Sequence, residues 1–351
     1  MQLEFIPPGT DKLPVPGKII LDVGNRLCPG VLDHHQPSAG DECATSLVQH
    51  YPNYVLDHLK DAKIEDITIV THIAPDLDAM TSAFFAHSLL STGQLPLFSE
   101  KISAYARDVD MGVCFRYPDV VVTVYSIFKA LCEEVKKEAQ LKGWQADEMY
   151  RKQMDRGFSL WKYVISVMDQ ATDLHGTRIF DQPHPFPDAH KLVQHDHAVY
   201  LKDLDRSQQT LLTLPHKNDP GSSQVDGLFM QDPESILFSD WARGDNQSSS
   251  KGKGFTLLAV NFQNQRYIIS VDSQSMYSLK GLGDLLEEKE SHKRKILGKE
   301  RLGKPRPGYD NSDPWYDGRN PLHNYTIVDT PRNGSVLEWS EIIETVNEFS
   351  S

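Results

Sequence analysis

Two short apolar runs, each followed by carboxylates and imidazoles, constrain the fold of this chain more than any other feature. Residues 18–22 (KIILD) and 66–71 (DITIVT) are rich in β-branched side chains and lie among Gly, Pro and Asp, as buried strands of a parallel sheet tend to. The polar residues after these runs are Asp22, Asp33, His34 and His35 in the first case and His72, Asp76 and Asp78 in the second. Each run therefore reads as a strand that delivers polar side chains at its end.

Helical spacing follows each polar loop. Residues 41–60 fit a helix that is interrupted near Pro52, and residues 79–90 fit a second helix directly behind the acidic loop. Strand, acidic loop and helix, repeated, predict an α/β fold with a doubly wound, mainly parallel sheet. In such folds ligands bind at the carboxyl ends of the strands, so the polar loops are expected to form the functional site.

Two domains are expected because the chain has 351 residues. The first would span residues 1–215 and include a helical segment over about 122–215, in which residues 189–214 read as one charged helix. The stretch HKNDPGSSQ (216–224) has the composition of a turn or linker. Strand-like runs separated by polar loops then predict a second, smaller α+β domain over residues 222–351 that binds substrate or caps the site.

Composition narrows the function classes. The net charge of −13 argues against a protein that coats long polyanions, since phosphate-backbone binding needs clustered Lys and Arg. The four cysteines form no CxxC pair, so neither a zinc knuckle nor a disulfide framework is indicated. The first residues, MQLEFIPPGTDK, do not resemble a signal peptide, and no apolar run reaches the length of a membrane span. A cytoplasmic location without membrane association is expected, and the oligomeric state stays open.

The polar loops offer the ligands of a site for two divalent cations. Mn²⁺ and Mg²⁺ prefer carboxylate oxygens, Mn²⁺ also accepts imidazole, and two such ions can share one carboxylate. Structural roles are the alternative for each residue taken singly: Asp22 could simply end a strand, and Asp78 could cap the following helix. The conjunction of three such motifs, each behind a strand-like run, favours a metal site.

The same motifs resemble those of the DHH phosphoesterase superfamily, which includes RecJ-like nucleases, oligoribonucleases and family II pyrophosphatases. The shared features are a strand-end Asp, the DHH triplet and an HxxPDxDA loop, here HIAPDLDA. The run LDVGNRLCPGVLDHHQPS looks most like the branch of metal-dependent exonucleases named for a melanocyte-proliferating gene. The resemblance covers about residues 18–112. In the family the His-Asp-Asp loop normally precedes DHH, so the motif order is permuted in this chain.

The resemblance implies roles for the matching residues. His72 and Asp76 would bind one ion, His34 and Asp78 would bind the other, and Asp22 would bridge the two. The cofactor implied is a pair of Mn²⁺ ions, with Mg²⁺ as the alternative.

A further carboxylate would complete the second ion's site. The segment RDVDMG supplies it, with Asp108 preferred over Asp110 and with Asp169 as a more distant rival. The family pattern also makes Asp33 an outer residue that orients the histidine pair. His35 would contact the scissile phosphate or protonate the leaving oxygen.

Substrate-binding residues are harder to assign from the sequence. Cations of the second domain are the candidates, namely Arg243, Arg266, Arg294 and Lys295. The last two belong to a charged helix for which a solvated face is an equally good explanation. Trp315 could stack on a base or could anchor its loop in the core.

The sequence thus predicts an enzyme, a manganese-dependent phosphoesterase that hydrolyses phosphodiester bonds by a two-metal mechanism. Its partner would be a phosphorylated small molecule or the end of a short single-stranded nucleic acid. One alternative is an inorganic pyrophosphatase or polyphosphatase. The other is a non-catalytic module that senses metal or nucleotide.

Overall fold

The chain is a mixed α/β protein whose computed structural model describes residues 1–36, 40–113, 121–263, 265–301 and 309–350. Two mixed β-sheets and ten α-helices make up the regular structure of these residues. The chain divides into two compact units. The first contains residues 1–112 and the later segment that ends at His195, and the second begins at Asp196.

The first unit is built on a five-stranded sheet. Its strands are β1 (Gln2–Ile6), β2 (Lys18–Leu21), β3 (Leu27–Cys28), β4 (Val31–Leu32) and β5 (Thr68–His72). The spatial order is β1-β5-β2-β4-β3, and every neighbouring pair is parallel except β3 with β4. Ile20, Val31 and Val70 share one buried cluster, which explains why these strands are β-branched. Since β2 lies between β5 and β4, the residue after β2 lies between the ends of its two neighbours.

Seven helices belong wholly or partly to the first unit. They are α1 (Ala44–His50), α2 (Pro52–Leu56), α3 (Leu77–Thr92), α4 (Ser99–Asp110), α5 (Val124–Lys142), α6 (Ala146–Val167) and α7 (Pro187–Arg206). The predicted interruption near Pro52 is confirmed, because Pro52 opens α2 at a position that needs no backbone donor. Among the described residues, no helix is both long and apolar enough to cross a membrane.

Helix α3 is the central helix of the first unit, with Leu77–Ala86 buried without interruption. Helices α1, α4 and α6 all contact it. The indole Nε1 of Trp161 in α6 donates to Thr81 Oγ1 at 2.9 Å, so the packing also satisfies a buried polar pair. The N-terminus of this buried helix is thereby held at the edge of the sheet where β2 and β5 end.

The second unit has its own five-stranded sheet. Its elements are β6 (Gln208–Pro215), β7 (Ser222–Gln231), α8 (Phe238–Gly244), β8 (Leu257–Phe262), β9 (Arg266–Val271), α9 (Leu282–Leu297), β10 (Ile327–Asp329) and α10 (Trp339–Phe349). The strand order is β10-β9-β8-β7-β6, and only β7 with β8 is parallel. Separate apolar clusters form on this sheet, one with α9 and α10 and the other with α8.

The predicted helix over residues 189–214 is wrong beyond Arg206. Residues 208–215 form β6 and pair antiparallel with β7, with Leu212 opposite Val225. Leu212 and Leu214 are buried while Leu211 is exposed, which is the period of two that a half-buried strand requires. The predicted linker therefore includes the turn of a β-hairpin, and the division into compact units falls earlier, between His195 and Asp196.

Candidate metal centre

Three parallel strands deliver polar residues to one edge of the first sheet. Asp22 follows β2, Asp33 follows β4, and His72 is the last residue of β5. The Asp22 N–H donates to the Leu32 carbonyl at 3.0 Å, so the two strand ends are tied together. Asp22 adopts a φ of 59°, a left-handed conformation that Asp tolerates better than most residues. The strand order thus brings residues distant in the chain to a single place.

Asp22 lies between two imidazoles. Its Oδ1 is 3.0 Å from His34 Nε2, and its Oδ2 is 3.2 Å from His72 Nε2. The residue is only 2% exposed, and burial alone would raise the pKa of its carboxyl group. The hydrogen bonds from the two histidines outweigh burial and lower that pKa below its ordinary value. One carboxylate oxygen is therefore available to each side of the cluster.

Three overlapping groups of potential metal ligands form the cluster, each with donor atoms within 4.8 Å of one another. One consists of Asp22, His72 and Asp76, the next of His34, Asp78 and Asp110, and the third of Asp22, Asp33, His34 and His35. His72 Nε2 lies 3.5 Å from Asp76 Oδ2. His34 Nε2 lies 3.7 Å from Asp110 Oδ2 and 4.0 Å from Asp78 Oδ2. Two of these groups bring together the pairs that the resemblance implied, His72 with Asp76 and His34 with Asp78.

The two carboxylates of the second loop have different structural tasks. Asp76, and not Asp78, is the N-cap of α3, with its Oδ1 accepting the Ala79 N–H at 2.9 Å. Asp78 lies inside the first turn of α3 and binds another helix. Its two oxygens accept the N–H groups of Ala44 and Thr45, at 2.7 and 2.9 Å, at the start of α1. The loop and both helix N-termini are therefore fixed relative to the cluster.

Asp110 replaces Asp108 as the late carboxylate of the cluster, so the preference for Asp108 is wrong. The segment is the last turn of α4, and residues two apart on an α-helix point about 200° apart. Asp110 therefore approaches His34, while Asp108 Oδ2 lies 2.9 Å from His175 Nε2. The helical spacing of the sequence indicates this difference. Ile102 and Ala106 are buried, and Asp110 continues their i, i+4 series on the same face of α4.

The electrostatics of the cluster suit a cation. Burial and the charge of Asp22 raise the pKa of Asp78 to about 6. Burial and Asp78 likewise raise the pKa of Asp110 well above its ordinary value, although His34 opposes them. Burial lowers the pKa of His34, but Asp110 and Asp22 outweigh it, so that this pKa also lies above its ordinary value. Without a metal, protons carry the charge that balances the carboxylates, and a divalent cation would displace them.

Unused donor atoms also fit a metal. Asp110 Oδ2 is buried and has no hydrogen-bond partner among the residues that the structure describes. The Nδ1–H of His72 donates to the Ile73 carbonyl at 2.9 Å, which leaves Nε2 as the nitrogen that faces Asp22 and Asp76. Such an outer hydrogen bond orients a ligating histidine. Carboxylate oxygens with imidazole nitrogens form a donor set that Mn²⁺ accepts.

Asp33 and His35 form a second pair at the edge of the cluster. Asp33 is fully buried, and its Oδ2 accepts the Asn25 N–H at 2.6 Å. Its Oδ1 lies 2.7 Å from His35 Nδ1 and accepts the His35 N–H at 3.2 Å. The side chain of His35 is 42% exposed. Asp33 thus orients His35, whereas the nitrogen of His34 that faces the cluster contacts Asp22.

Two of the predicted substrate residues, Arg243 and Arg294, have guanidinium groups that bind the protein itself. Arg243 donates to the carbonyls of Phe255 at 2.7 Å and of Ser270 at 3.0 Å. Arg294 Nε donates to the buried Glu290 carboxylate at 2.7 Å, and its Nη2 donates to a backbone carbonyl at 3.0 Å. Both arginines therefore stabilise the second unit internally. The sequence does not reveal such partners, since carbonyls of any residue type accept from arginine.

The other distant candidates fare differently. Trp315 is 1% exposed and stacks on Tyr267 at a centroid distance of 6.3 Å, so it anchors the core of the second unit and does not offer a face to a base. Asp169 lies in a turn after α6, where its Oδ1 accepts from the Ala171 N–H at 2.9 Å. Arg266 and Lys295 are exposed, and their substrate roles stay predictions.

Comparisons with known proteins add no family assignment. No family model, curated protein or solved structure matches this chain. The resemblance of residues 18–112 to the DHH phosphoesterases therefore rests on motifs and on the geometry of the residues that carry them.

Proposed function

We propose that this chain is a manganese-dependent phosphoesterase of the DHH type. One observation carries the proposal: Asp22 lies between two His–carboxylate groups and presents one oxygen to each. A shared carboxylate is what holds two divalent ions at the separation used in phosphoryl transfer.

The residues would divide the ions as two of the three groups suggest. His72 and Asp76 would hold one ion, His34, Asp78 and Asp110 would hold the other, and Asp22 would contact both. When bound, Mn²⁺ or Mg²⁺ supplies Lewis acidity and positive charge for a phosphoryl group. The metals would also neutralise the mutual repulsion of the carboxylates, which the raised pKa of Asp78 reflects.

Asp33 and His35 supply the proton chemistry in this proposal. An imidazolium at His35 would donate its Nδ1–H to Asp33 and could give the proton on Nε2 to a substrate. The exposed side chain is accessible to a substrate from solvent. His35 would thus bind a phosphoryl oxygen or protonate the leaving oxygen, while Asp33 stabilises the charged ring.

The substrate proposed is the end of a short oligonucleotide or a small nucleotide. A net charge of −13 disfavours long polyanions, whereas a short phosphorylated ligand can rely on the metals for charge. A doubly wound DHH-type sheet and a cytoplasmic location belong to the same proposal. An inorganic pyrophosphatase is the competing proposal. The burial of Trp315 favours this alternative, because a buried indole cannot stack on a nucleotide base.

The test is hydrolysis by the purified chain with Mn²⁺ against a generic phosphodiester, short oligonucleotides, cyclic dinucleotides and pyrophosphate. The matched control is Asp76→Asn, because Asn keeps the helix cap that Asp76 provides and removes only the charge. Cleavage of a phosphodiester that the control loses is the expected result. Cleavage of pyrophosphate alone would replace the proposal with a pyrophosphatase. A panel left intact by a chain with two bound ions would contradict the enzyme and favour a sensing module.

A further inference from the structure

A serine, a histidine and an aspartate of the second unit are joined in series at the turn between β6 and β7. His216 Nδ1 lies 2.8 Å from Asp219 Oδ1, and His216 Nε2 lies 2.9 Å from Ser223 Oγ. A carboxylate only accepts hydrogen bonds, so Nδ1 carries the proton of the neutral imidazole, and Nε2 accepts from the serine hydroxyl group. A nucleophile, a general base and an orienting acid stand in this order where a serine is activated.

The backbone around the turn fixes the imidazole and the carboxylate. The His216 N–H donates to the Gly221 carbonyl at 3.0 Å, and the His216 ring packs edge-on against Tyr277 with centroids 5.8 Å apart. The Gly221 N–H donates to Asp219 Oδ1 at 2.7 Å. A Cβ atom on Gly221 would lie 2.7 Å from Asp219 Oδ1 and 2.9 Å from His216 Nδ1, so only glycine fits where the backbone passes this pair.

Burial does not force the three side chains together. Those of His216 and Asp219 are 12% and 54% exposed, and Ser223 is half-buried. Polar groups at such positions can bind water, so folding does not require that they bind one another. The turn itself needs only the Asp219 acceptor for the Gly221 N–H. The histidine and the serine are therefore additions that a structural turn does not need, and they lie where a reagent from solution can reach them.

We propose that Ser223 is a nucleophile activated by His216 and Asp219, and that this second site transfers acyl groups without metal. Ser223 Oγ attacks the carbonyl carbon of an ester while its proton passes to His216 Nε2. The bond from carbon to the leaving oxygen then breaks, and that oxygen takes the proton from His216. Water attacks the acyl-serine in the same way, which releases a carboxylic acid and restores the serine hydroxyl group.

Activated acyl esters are the substrate class that fits this site. Asp219 is exposed, so solvent screens its charge and it stabilises the imidazolium of His216 less than a buried carboxylate does. Esters with a stable leaving anion require the least of such stabilisation. The exposed position also allows an ester of any acyl chain to approach, whereas a buried site would select for shape.

The experiment treats the full, metal-free chain with a fluorophosphonate probe and, separately, with p-nitrophenyl acetate. The probe should form a bond from Ser223 Oγ to phosphorus with loss of fluoride, and the ester should acetylate the same oxygen. Intact mass and peptide mapping locate the adduct. Ser222→Ala is the matched control, because Ser222 is exposed and neighbouring side chains of a strand point to opposite faces.

Ser223→Ala should abolish the adduct, and Ser222→Ala should keep the wild-type rate. His216→Gln should slow labelling about 10²- to 10⁴-fold, the contribution of a general base. Asp219→Asn keeps an acceptor for the Gly221 N–H and should cause a smaller loss. A folded wild-type chain without an adduct on Ser223 would overturn the proposal without recourse to any variant. Wild-type labelling rates in both His216→Gln and Asp219→Asn, each shown to be folded by thermal unfolding, would overturn it as well.

Discussion

Both units of this protein bury carboxylates, but they satisfy them differently. In the second unit, Asp313 accepts the N–H groups of Arg332 and Asn333, at 2.7 and 3.0 Å. Asp226 accepts those of Ser250 and Lys251, at 3.1 and 2.8 Å. Backbone donors of this kind hold a loop in place.

The carboxylates of the first unit's cluster face histidines and one another. Asp22 contacts two imidazoles, and Asp110 has a buried oxygen that accepts no hydrogen bond from the described part of the chain. Asp78 combines both patterns, since it binds two backbone N–H groups and also faces His34. Burial of a carboxylate therefore does not by itself indicate a metal site. The identity of the donors separates a structural carboxylate from a candidate ligand.

Removing the shared carboxylate should have the largest effect. Asp22→Asn keeps the left-handed backbone conformation, which Asn also tolerates, but removes the charge between His34 and His72. We expect it to abolish binding of both Mn²⁺ ions and to reduce hydrolysis by more than about a thousandfold. Equilibrium dialysis with metal analysis and steady-state kinetics measure the two effects. Retention of both ions would mean that Asp22 is a structural residue of the kind found in the second unit.

Neighbouring acids of α4 provide the next test. Asp110→Asn should lower the affinity for one of the two ions. The loss should exceed the ~10- to 100-fold that follows when only a hydrogen-bond partner of a metal ligand is removed. Asp108→Asn is its control, because Asp108 contacts His175 instead of the cluster. Mn²⁺ titrations followed by calorimetry give both affinities. Equal losses in the two variants would show that α4 acts through its packing and not through a ligand.

A structural carboxylate of the second unit should behave in the opposite way. Asp313→Ala leaves the N–H groups of Arg332 and Asn333 without the acceptor shown here, and we expect a loss of about 3 kcal/mol in the free energy of unfolding. Mn²⁺ stoichiometry should not change. Urea unfolding with and without Mn²⁺ measures the stability. A loss of bound metal in a folded Asp313→Ala chain would contradict the distinction between the two kinds of carboxylate.

Asp76 combines a structural role and a candidate ligand role in one residue. Its substitution is expected to have the smallest effect on stability. Asp76→Ala removes both a helix cap and a candidate ligand, whereas Asp76→Asn keeps the cap. Both variants should lose the ion at His72, but only Asp76→Ala should lose about 1 kcal/mol of stability. Thermal unfolding of the metal-free chains compares them. Equal stabilities would show that the cap contributes nothing measurable.

The sequence predicts the strands that carry the cluster better than the residue that completes it. Asp22 and His72 follow β-branched runs, so their place at strand ends can be read from the pattern, whereas the two-residue strand β4 before Asp33 was not predicted. The position of Asp22 between its partners depends on the spatial order β5-β2-β4, which the chain order does not specify. Asp108 was preferred over Asp110 because the segment was not assigned to a helix, whose turn directs the two side chains apart.

Tertiary partners explain the remaining differences. Arg243 and Arg294 look like exposed cations in the sequence, but carbonyls and a carboxylate brought by folding occupy their donors. The segment 208–215 follows α7 with only Ser207 between them, so the sequence reads as a continuation of the helix. Its alternation of apolar and polar side chains favours a strand because β7 provides a partner to pair with.

The number of Mn²⁺ ions bound per chain tests the central claim most directly. Metal analysis after dialysis of the metal-free protein against Mn²⁺ gives this number, with Asp22→Asn dialysed beside it. Two ions in the wild type and none in Asp22→Asn are predicted. One ion or none in the folded wild type, or two ions in the variant, would contradict a centre built around a shared carboxylate.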